Sequence, residues 1–256
     1  MDELAVRART LSEALPYIRE FSGGTFVVKY GGSAMASASL SQAVMADVVL
    51  LRLVGVRVVL VHGGGPQVSD LMRRLGKEPT FVRGQRVTDA ETMEIAEMVL
   101  AGKINKDIAA KIQMAGGQAV GLSGRDAGLI QARRRVMDSP EGPVDLGFVG
   151  QIESINAGLL SSLTEDGFIP VVCSIAGGAD GECYNINADH AAGRIAAALH
   201  AEKLLSLTDV RGLLRDRSDP ASLIARLTVS EAEALVREGQ VEGGMVPKLE
   251  SCVVAV

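Results

Sequence analysis

The sequence predicts an α/β protein, a three-layer αβα sandwich with a mostly parallel central sheet. Three observations support this prediction. Short apolar runs of strand length alternate with longer segments of helical periodicity along most of the 256 residues. Two of the short runs end in glycine-rich loops, and a helical segment directly follows the second loop. Apolar residues make up 47% of the chain, which is long enough to bury a large core.

The elements follow one another in the order that this alternation requires. Strands are predicted at 25–28, 56–61, 119–122, 169–173 and 204–207. Helices are predicted at about 40–54, 66–75, 92–115, 156–166, 188–199 and 230–238. A last helix opens near Pro247, with an inward face of Leu249, Cys252, Val253 and Val256. Segment 129–150 is rich in proline and glycine and predicts a small β excursion or lid.

Composition excludes several classes of function. The net charge of −5 comes from interspersed acidic and basic residues, and only 3% of residues are aromatic, so a nucleic-acid partner is not expected. Apolar runs are too short to cross a membrane, and the N-terminus lacks the pattern of an export signal. Three cysteines without metal-type spacing indicate a reduced cytoplasm, with Cys173 and Cys252 expected in the core.

Two glycine loops indicate phosphate binding. The first predicted strand leads into Lys29, Tyr30, Gly31 and Gly32, and the second leads into His62 and the glycines 63–65. Glycine turns let backbone N–H groups approach an anion closely, and a helix N-terminus adds partial positive charge. The loops match neither the P-loop pattern nor the dinucleotide fingerprint.

Four other polar positions are candidates, each with a simpler explanation. Segment 185–189 precedes a helix and has more polar residues than capping requires. Segment 208–212 ends a strand, where ligands of open sheets bind, although an ordinary turn also fits. Lys248 opens a helix and is either solvent-exposed or paired with an anion. Arg86 either holds a carboxylate or lies on the surface.

The histidines are not expected to act in catalysis. His62 precedes the second glycine loop and is expected to be structural, because no paired Cys/His or Ser/His arrangement accompanies it. His190 and His200 fall on a predicted helix and receive no role.

In their order along the chain, these motifs resemble the amino acid kinase family, and most of all its members that phosphorylate N-acetyl-L-glutamate. The resemblance runs from about residue 25 to residue 256. It implies ATP-dependent phosphorylation of the side-chain carboxylate of N-acetyl-L-glutamate, which gives an acyl phosphate for arginine biosynthesis. It also implies Mg²⁺ that bridges the ATP phosphates, without a dedicated set of protein ligands.

The resemblance also implies roles for individual residues. Lys29 and Lys248 would stabilise the transition state, and Asp189 would orient both lysines. The implied substrate-binding residues are Gly64, Gly65, Arg86 and Asn185. The implied nucleotide-binding and phosphate-binding residues are Gly31, Gly32, Asn187, Thr208, Asp209, Gly212, Leu213, Leu214, Gly244 and Met245.

The expected domains are an N-terminal helix at 1–24 and a kinase domain at 25–256. The kinase domain would divide into an acylamino-acid lobe at 25–193 and a nucleotide lobe at 194–256, expected to be C-terminally incomplete because the family continues beyond this point. The N-terminal helix resembles the kinked helix of arginine-sensitive members, which implies a dimer or trimer of dimers and arginine as feedback inhibitor. Its apolar stripe could equally pack on its own domain. The stripe consists of Leu4, Leu11, Leu15 and Ile18.

Three alternatives remain at this point. A related kinase could act on aspartate, glutamate or a carrier-bound aminoadipate. A non-catalytic module that senses ATP or arginine is a second possibility, although it would have no use for both Lys29 and Lys248. A nicotinamide-dependent oxidoreductase is a third, opposed by the missing third glycine of its fingerprint.

Overall fold

The computed structural model describes residues 3–137, 142–216 and 218–256, and its strands confirm the predicted alternation. The strands are β1 (Thr25–Tyr30), β2 (Arg57–His62), β3 (Phe81–Val82), β4 (Gln85–Arg86), β5 (Ala119–Gly124), β6 (Ile130–Met137), β7 (Val144–Ile155), β8 (Ile169–Gly177), β9 (Cys183–Asn185) and β10 (Lys203–Ser206).

The helices are α1 (Glu3–Phe21), α2 (Ser33–Ala36), α3 (Ala38–Leu53), α4 (Gly65–Arg74), α5 (Ala90–Glu97), α6 (Asn105–Met114), α7 (Ala157–Glu165), α8 (Ala188–Ala198), α9 (Val229–Arg237) and α10 (Met245–Ala255). Within the described ranges, none of these helices is both long and apolar enough to cross a membrane.

The central sheet is mostly parallel, as predicted. Its main path runs β10-β1-β2-β8-β6-β7-β9, and β5 pairs with β8. The pairs β1 with β10, β1 with β2, β2 with β8 and β5 with β8 are parallel, whereas β6 and β7 form an antiparallel hairpin. Because parallel strands end at the same edge, the glycine loops after β1 and β2 lie side by side.

Two apolar cores cover the two faces of the sheet. Val27 and Val59 point to a core shared with α7 and α8. Their strand neighbours Val28 and Leu60 point to the opposite core, which includes residues of α3 and α6. Alternation with period two along buried strands therefore produces the three-layer αβα arrangement.

The long helix predicted at 92–115 is interrupted. Its middle, Met98–Ile104, is a π-helical segment between α5 and α6. A wider turn of this kind has no signature in apolar periodicity, so the sequence did not reveal it. The β excursion predicted at 129–150 is confirmed as the β6–β7 hairpin, although Pro140 lies outside the described residues.

Part of the prediction for α10 was wrong. Cys252 is exposed and Val256 is 96% exposed, while Ser251 is buried. The reason is a close crossing of two helices, because a Cβ on Gly193 of α8 would lie 2.6 Å from the Ser251 carbonyl oxygen. Apolar periodicity predicted a large inward side chain where the backbones approach too closely to admit one. Cys173, in contrast, is buried as predicted.

The N-terminal helix leaves most of its apolar stripe uncovered. Pro16 lies inside α1, which is assigned as one continuous helix. Leu4 and Leu11 are 69% and 72% exposed, and Leu15 is exposed as well, whereas Ile18 is half-buried. These three leucines therefore do not pack on the domain of their own chain, as one alternative had predicted.

Candidate functional site

Two lysines share one carboxylate at the carboxyl end of β1. Lys29 Nζ lies 3.1 Å from Asp189 Oδ1, and Lys248 Nζ lies 3.4 Å from Asp189 Oδ2. The side chains of Lys29 and Asp189 are each 10% exposed, and that of Lys248 is 23% exposed. The cluster carries one excess positive charge in a largely desolvated position, which favours an anionic ligand.

Local structure explains why these three residues meet. Lys29 lies two residues after Val27 on β1 and so points to the face of the sheet that α8 covers. Asn187 caps α8, with its Oδ1 accepting from the Asp189 N–H at 2.8 Å, and this fixes the first turn. Lys248 lies in the first turn of α10, which the contact at Gly193 brings close to α8.

One oxygen of the Asp189 carboxylate is buried without a hydrogen bond from the described residues. Its Oδ1 contacts Lys29 as an ion pair but accepts no hydrogen bond from any described residue. A Cβ on Gly31 would lie 3.1 Å from Lys29 Nζ, so the absence of a side chain there leaves room for the ammonium group.

A cavity of about 300 Å³ lies over the glycine loops. Nine predicted site residues line it, namely Lys29, Gly31, Gly32, Gly64, Gly65, Arg86, Asn185, Asn187 and Asp189. Gly32 has φ +65°, and a Cβ there would lie 2.6 Å from Asp209 Oδ1, so this turn requires glycine. The N-termini of α4 and α8 both open onto the cavity, which adds partial positive charge.

Arg86 is buried, so the alternative of a surface arginine was wrong. Its Nη2 donates to the Gly65 carbonyl oxygen and to Ser69 Oγ, each at 2.8 Å. The guanidinium also lies 4.8 Å from the centre of the Phe81 ring. Burial lowers the pKa of Arg86 from its usual value. Ser69, whose hydroxyl helps to hold the guanidinium, was not among the predicted site residues.

The remaining nucleotide candidates divide between two places. Gly212, Leu213, Leu214 and Met245 line a second cavity, of about 420 Å³. Asp209 lies instead beside the Gly32 turn. Thr208 and Gly244 are not among the residues that line the described cavities. The phosphate candidates Gly31, Gly32 and Asn187 therefore lie with the predicted substrate-binding residues in the first cavity, and not in the second cavity.

A third cavity, of about 820 Å³, had no counterpart in the sequence analysis. It lies between the β6–β7 hairpin and helices α8, α9 and α10, and its lining includes Arg194 and Arg237. Arg135 and His190 line both this cavity and the cavity over the glycine loops, so the two adjoin. Among the described residues, no group of three or more His, Cys, Asp or Glu side chains is placed to hold a metal ion.

Comparison with known proteins identifies relatives of this chain. The amino acid kinase family model matches residues 24–256. Acetylglutamate kinase from Moorella thermoacetica is 55% identical over 247 residues, covering 95% of this chain and 83% of that protein. Acetylglutamate kinase from Pelotomaculum thermopropionicum is 54% identical over 252 residues, covering 96% of this chain and 85% of that protein.

A solved structure extends the likeness to three dimensions. N-acetylglutamate synthase from Neisseria gonorrhoeae, in complex with coenzyme A and N-acetyl-glutamate, superposes with a TM-score of 0.81 and 27% sequence identity. The match covers 99% of this chain and 56% of that chain.

A shared fold alone would not assign the chain, because one fold hosts many functions. An identity of 55% over 95% of the chain goes well beyond a shared fold, and it argues against the nicotinamide-dependent oxidoreductase. The chain therefore belongs to the amino acid kinase family and, within it, to the acetylglutamate kinases.

Proposed function

We propose that the chain transfers the γ-phosphoryl group of ATP to the side-chain carboxylate of N-acetyl-L-glutamate, giving an acyl phosphate for arginine biosynthesis. The observation that carries this proposal is the Lys29–Asp189–Lys248 cluster beside two glycine loops. Lys29 and the glycine loops line one small cavity, and Lys248 lies beside them through the carboxylate that it shares with Lys29. The names of the relatives support the choice of reaction.

The chemistry requires positioning and charge rather than a base. A carboxylate is already ionised at neutral pH, so the acceptor needs no proton removed. Charge spreads over the oxygens of the phosphoryl group as it moves. Lys29, which lines the cavity, and Lys248, which pairs with Asp189 beside it, would neutralise this charge. Asp189 holds both ammonium groups in place without fully cancelling their charge. Backbone N–H groups of Gly32, Gly64 and Gly65 would receive the anionic oxygens.

Acceptor recognition is assigned to Arg86 and Asn185. The Arg86 guanidinium is fixed by its bonds to Gly65 and Ser69, so it can offer its remaining N–H groups to an α-carboxylate with little loss of entropy. The Asn185 amide faces the same cavity and donates to Thr88 Oγ1 at 3.4 Å. We assign it to the acetamido end of the substrate.

Nucleotide recognition is assigned to the second cavity and the phosphate loops. Gly212, Leu213, Leu214 and Met245 would contact the nucleoside, with Thr208, Asp209 and Gly244 on adjoining loops. Gly31, Gly32 and Asn187 would receive phosphate oxygens. Mg²⁺ would be held by the ATP phosphates, and when bound it would supply further neutralisation of phosphate charge.

Regulation and assembly form the finer part of the proposal. The exposed leucines of α1 suit burial against a second copy of the chain, in a dimer or a trimer of dimers. Arginine, as the end product of the pathway, would act as feedback inhibitor through this helix.

The test of the function is the trapping of acyl phosphate as hydroxamate, with ATP, Mg²⁺ and one acceptor at a time. We expect N-acetyl-L-glutamate to be turned over much faster than glutamate or aspartate, because Asn185 and Arg86 together match an acylated amino acid. A preference for either free amino acid would replace the proposal with a related carboxylate kinase. ATP binding without product from any acceptor would identify a non-catalytic module.

A further inference from the structure

We propose that His62 and Asn105 are positioning residues that fix the orientation of the Gly63–Gly64 peptide, so that the Gly64 N–H faces an anion in the cavity over the glycine loops. This inference rests on the proposed function, since it assigns a use to that cavity. Both side chains are buried, and neither lines the cavity. They would therefore act on the reaction only through the backbone of the loop.

The hydrogen bonds of His62 allow a single arrangement of its ring. Its Nδ1 lies 2.9 Å from the Gly63 carbonyl oxygen, and its Nε2 lies 3.1 Å from Asn105 Nδ2. A carbonyl oxygen only accepts, so Nδ1 carries the proton and donates it to Gly63. The Nε2 of the neutral ring then accepts from the Asn105 amide.

The ring stays neutral in the folded protein. His62 has no exposed surface, and burial lowers its pKa to about 4, with the positive charge of Lys106 adding to the effect. A charged ring would also place a proton on Nε2, directly against the donating amide of Asn105. The arrangement is thus insensitive to pH near neutrality.

Asn105 has an equally restricted orientation. Its Nδ2 donates to the Val171 carbonyl oxygen at 2.8 Å and lies 3.2 Å from the Leu122 carbonyl oxygen. Its Oδ1 accepts from Lys106 Nζ at 3.1 Å. The amide has two hydrogens, which we assign to the Val171 carbonyl oxygen and to His62 Nε2, with the more distant Leu122 carbonyl as a weaker contact. A flipped amide would place Oδ1 against two carbonyl oxygens and Nδ2 against the Lys106 ammonium group. Asn105 connects the end of β2 to the backbones of β5 and β8.

The π-helical segment gives independent support, because it contacts the same loop. Asn105 follows Ile104, the last residue of that segment. A Cβ on Gly64 would lie 2.8 Å from Leu100 Cδ2 and would collide with Ile104 Cδ1. Segments of this type often occur at functional sites. Here the wider turn presses two apolar side chains against the glycine loop and leads directly into the residue that holds His62.

The consequence concerns the direction of one N–H group. In a planar trans peptide the C=O and N–H groups point in opposite directions. Because the Gly63 carbonyl points to buried His62, the Gly64 N–H points away from it, toward the cavity that Gly64 lines. Gly64 is the N-cap residue of α4, and no side chain among the described residues caps that helix. The donor is thus oriented before a ligand arrives.

Two variants of His62 separate this role from packing. In His62→Asn the side-chain nitrogen lies near the position of Nδ1 and can still donate to Gly63. In His62→Gln the nitrogen lies near the position of Nε2 and cannot reach that carbonyl. We expect kcat to fall roughly 100-fold in His62→Gln and less than about 5-fold in His62→Asn, because one oriented donor is lost only in the first. The KM for N-acetyl-L-glutamate should change less than about 3-fold in both.

Equal losses of kcat in the two variants, or near-normal kcat in both, would overturn the inference. His200→Asn is the matched control, because His200 is exposed and its positive φ suits asparagine. Circular dichroism and thermal melting establish that each variant is folded before its kinetics are compared.

A second measurement needs neither variants nor turnover. The chain has three histidines, so ¹⁵N NMR of the imidazole rings can assign His62 readily. We expect the neutral tautomer with the proton on Nδ1 from about pH 6 to pH 8. A charged ring or a proton on Nε2 would refute the hydrogen-bond arrangement. Failure of wild-type protein to phosphorylate N-acetyl-L-glutamate would instead refute the proposed function, and the tautomer would still decide the positioning role.

Discussion

Replacing Asp189 with asparagine tests the cluster on which the proposed function depends. The substitution keeps the size of the side chain and removes the charge that Lys29 and Lys248 share at 3.1 and 3.4 Å. At an effective dielectric constant of about 20, each contact corresponds to about 5 kcal/mol of attraction before desolvation. Much of this is offset in the folded state by the cost of burying charge.

The expected losses follow from those contacts. Removing one partner of a buried pair costs about 3 kcal/mol of folding free energy, because Lys29 is left buried without a counterion. The lysines also lose the group that orients them, so we expect kcat to fall by roughly 100-fold, which is about 2.7 kcal/mol of transition-state stabilisation. The Kd for ATP should change far less, because the second cavity is untouched.

The assay combines urea unfolding, nucleotide titration and hydroxamate trapping on Asp189→Asn. Asp70→Asn is the control, since Asp70 lies on α4 with 70% of its side chain exposed and pairs weakly with Arg74 at 4.0 Å. A kcat within about 3-fold of wild type, whatever the stability, would refute the orienting role of Asp189, because the two lysines would then need no carboxylate to orient them.

Four further outcomes are expected. Arg86→Lys should raise the KM for N-acetyl-L-glutamate about 10-fold and leave that for ATP unchanged, because lysine cannot reproduce the guanidinium fork; equal effects on both would contradict this role. Gly193→Ala should lower both Tm and kcat, because its Cβ would lie 2.6 Å from a carbonyl oxygen of α10, whereas Gly102→Ala, which meets nothing within 4 Å, should not. Lowering the pH from 7 to 5 should reduce the free energy of unfolding of the wild type by about 2 kcal/mol through His62, because the pKa of His62 is about 4 in the folded protein and 6.5 as a free side chain. This contribution is present above pH 6.5 and is lost toward pH 4. Urea titrations of His62→Leu should lack this part of the pH dependence. Deleting residues 1–23 should reduce the number of chains in the assembly, measured from its mass by light scattering. An unchanged number of chains would exclude α1 as an assembly element.

Much of the fold could be predicted because it depends on patterns that one sequence displays. Buried strands read as continuous apolar runs, and glycines after strands mark turns that approach a ligand. The proposed catalytic cluster was implied only by resemblance to a family. Lys29 and Asp189 are 160 residues apart along the chain, and Asp189 and Lys248 are 59 residues apart. Such spacings do not indicate which helices cross in space.

The features that were missed depend on tertiary contact. The π-helical segment packs on the glycine loop through Leu100 and Ile104, and apolar periodicity cannot distinguish it from an α-helix. Cys252 was placed in the core because its neighbours are apolar, yet the close approach at Gly193 selects Ser251 for the inward position. Asn105 carries no local signal, since its partners come from three different strands.

The proposed reaction is tested most directly by identifying the atom that receives the phosphoryl group. Protein, ATP, Mg²⁺ and N-acetyl-L-glutamate labelled with ¹³C at the side-chain carboxyl carbon are observed by ³¹P NMR. We expect a new acyl phosphate resonance that is split by coupling to the labelled carbon. An unsplit resonance, splitting only with α-carboxyl label, or ATP consumption without any acyl phosphate would contradict it.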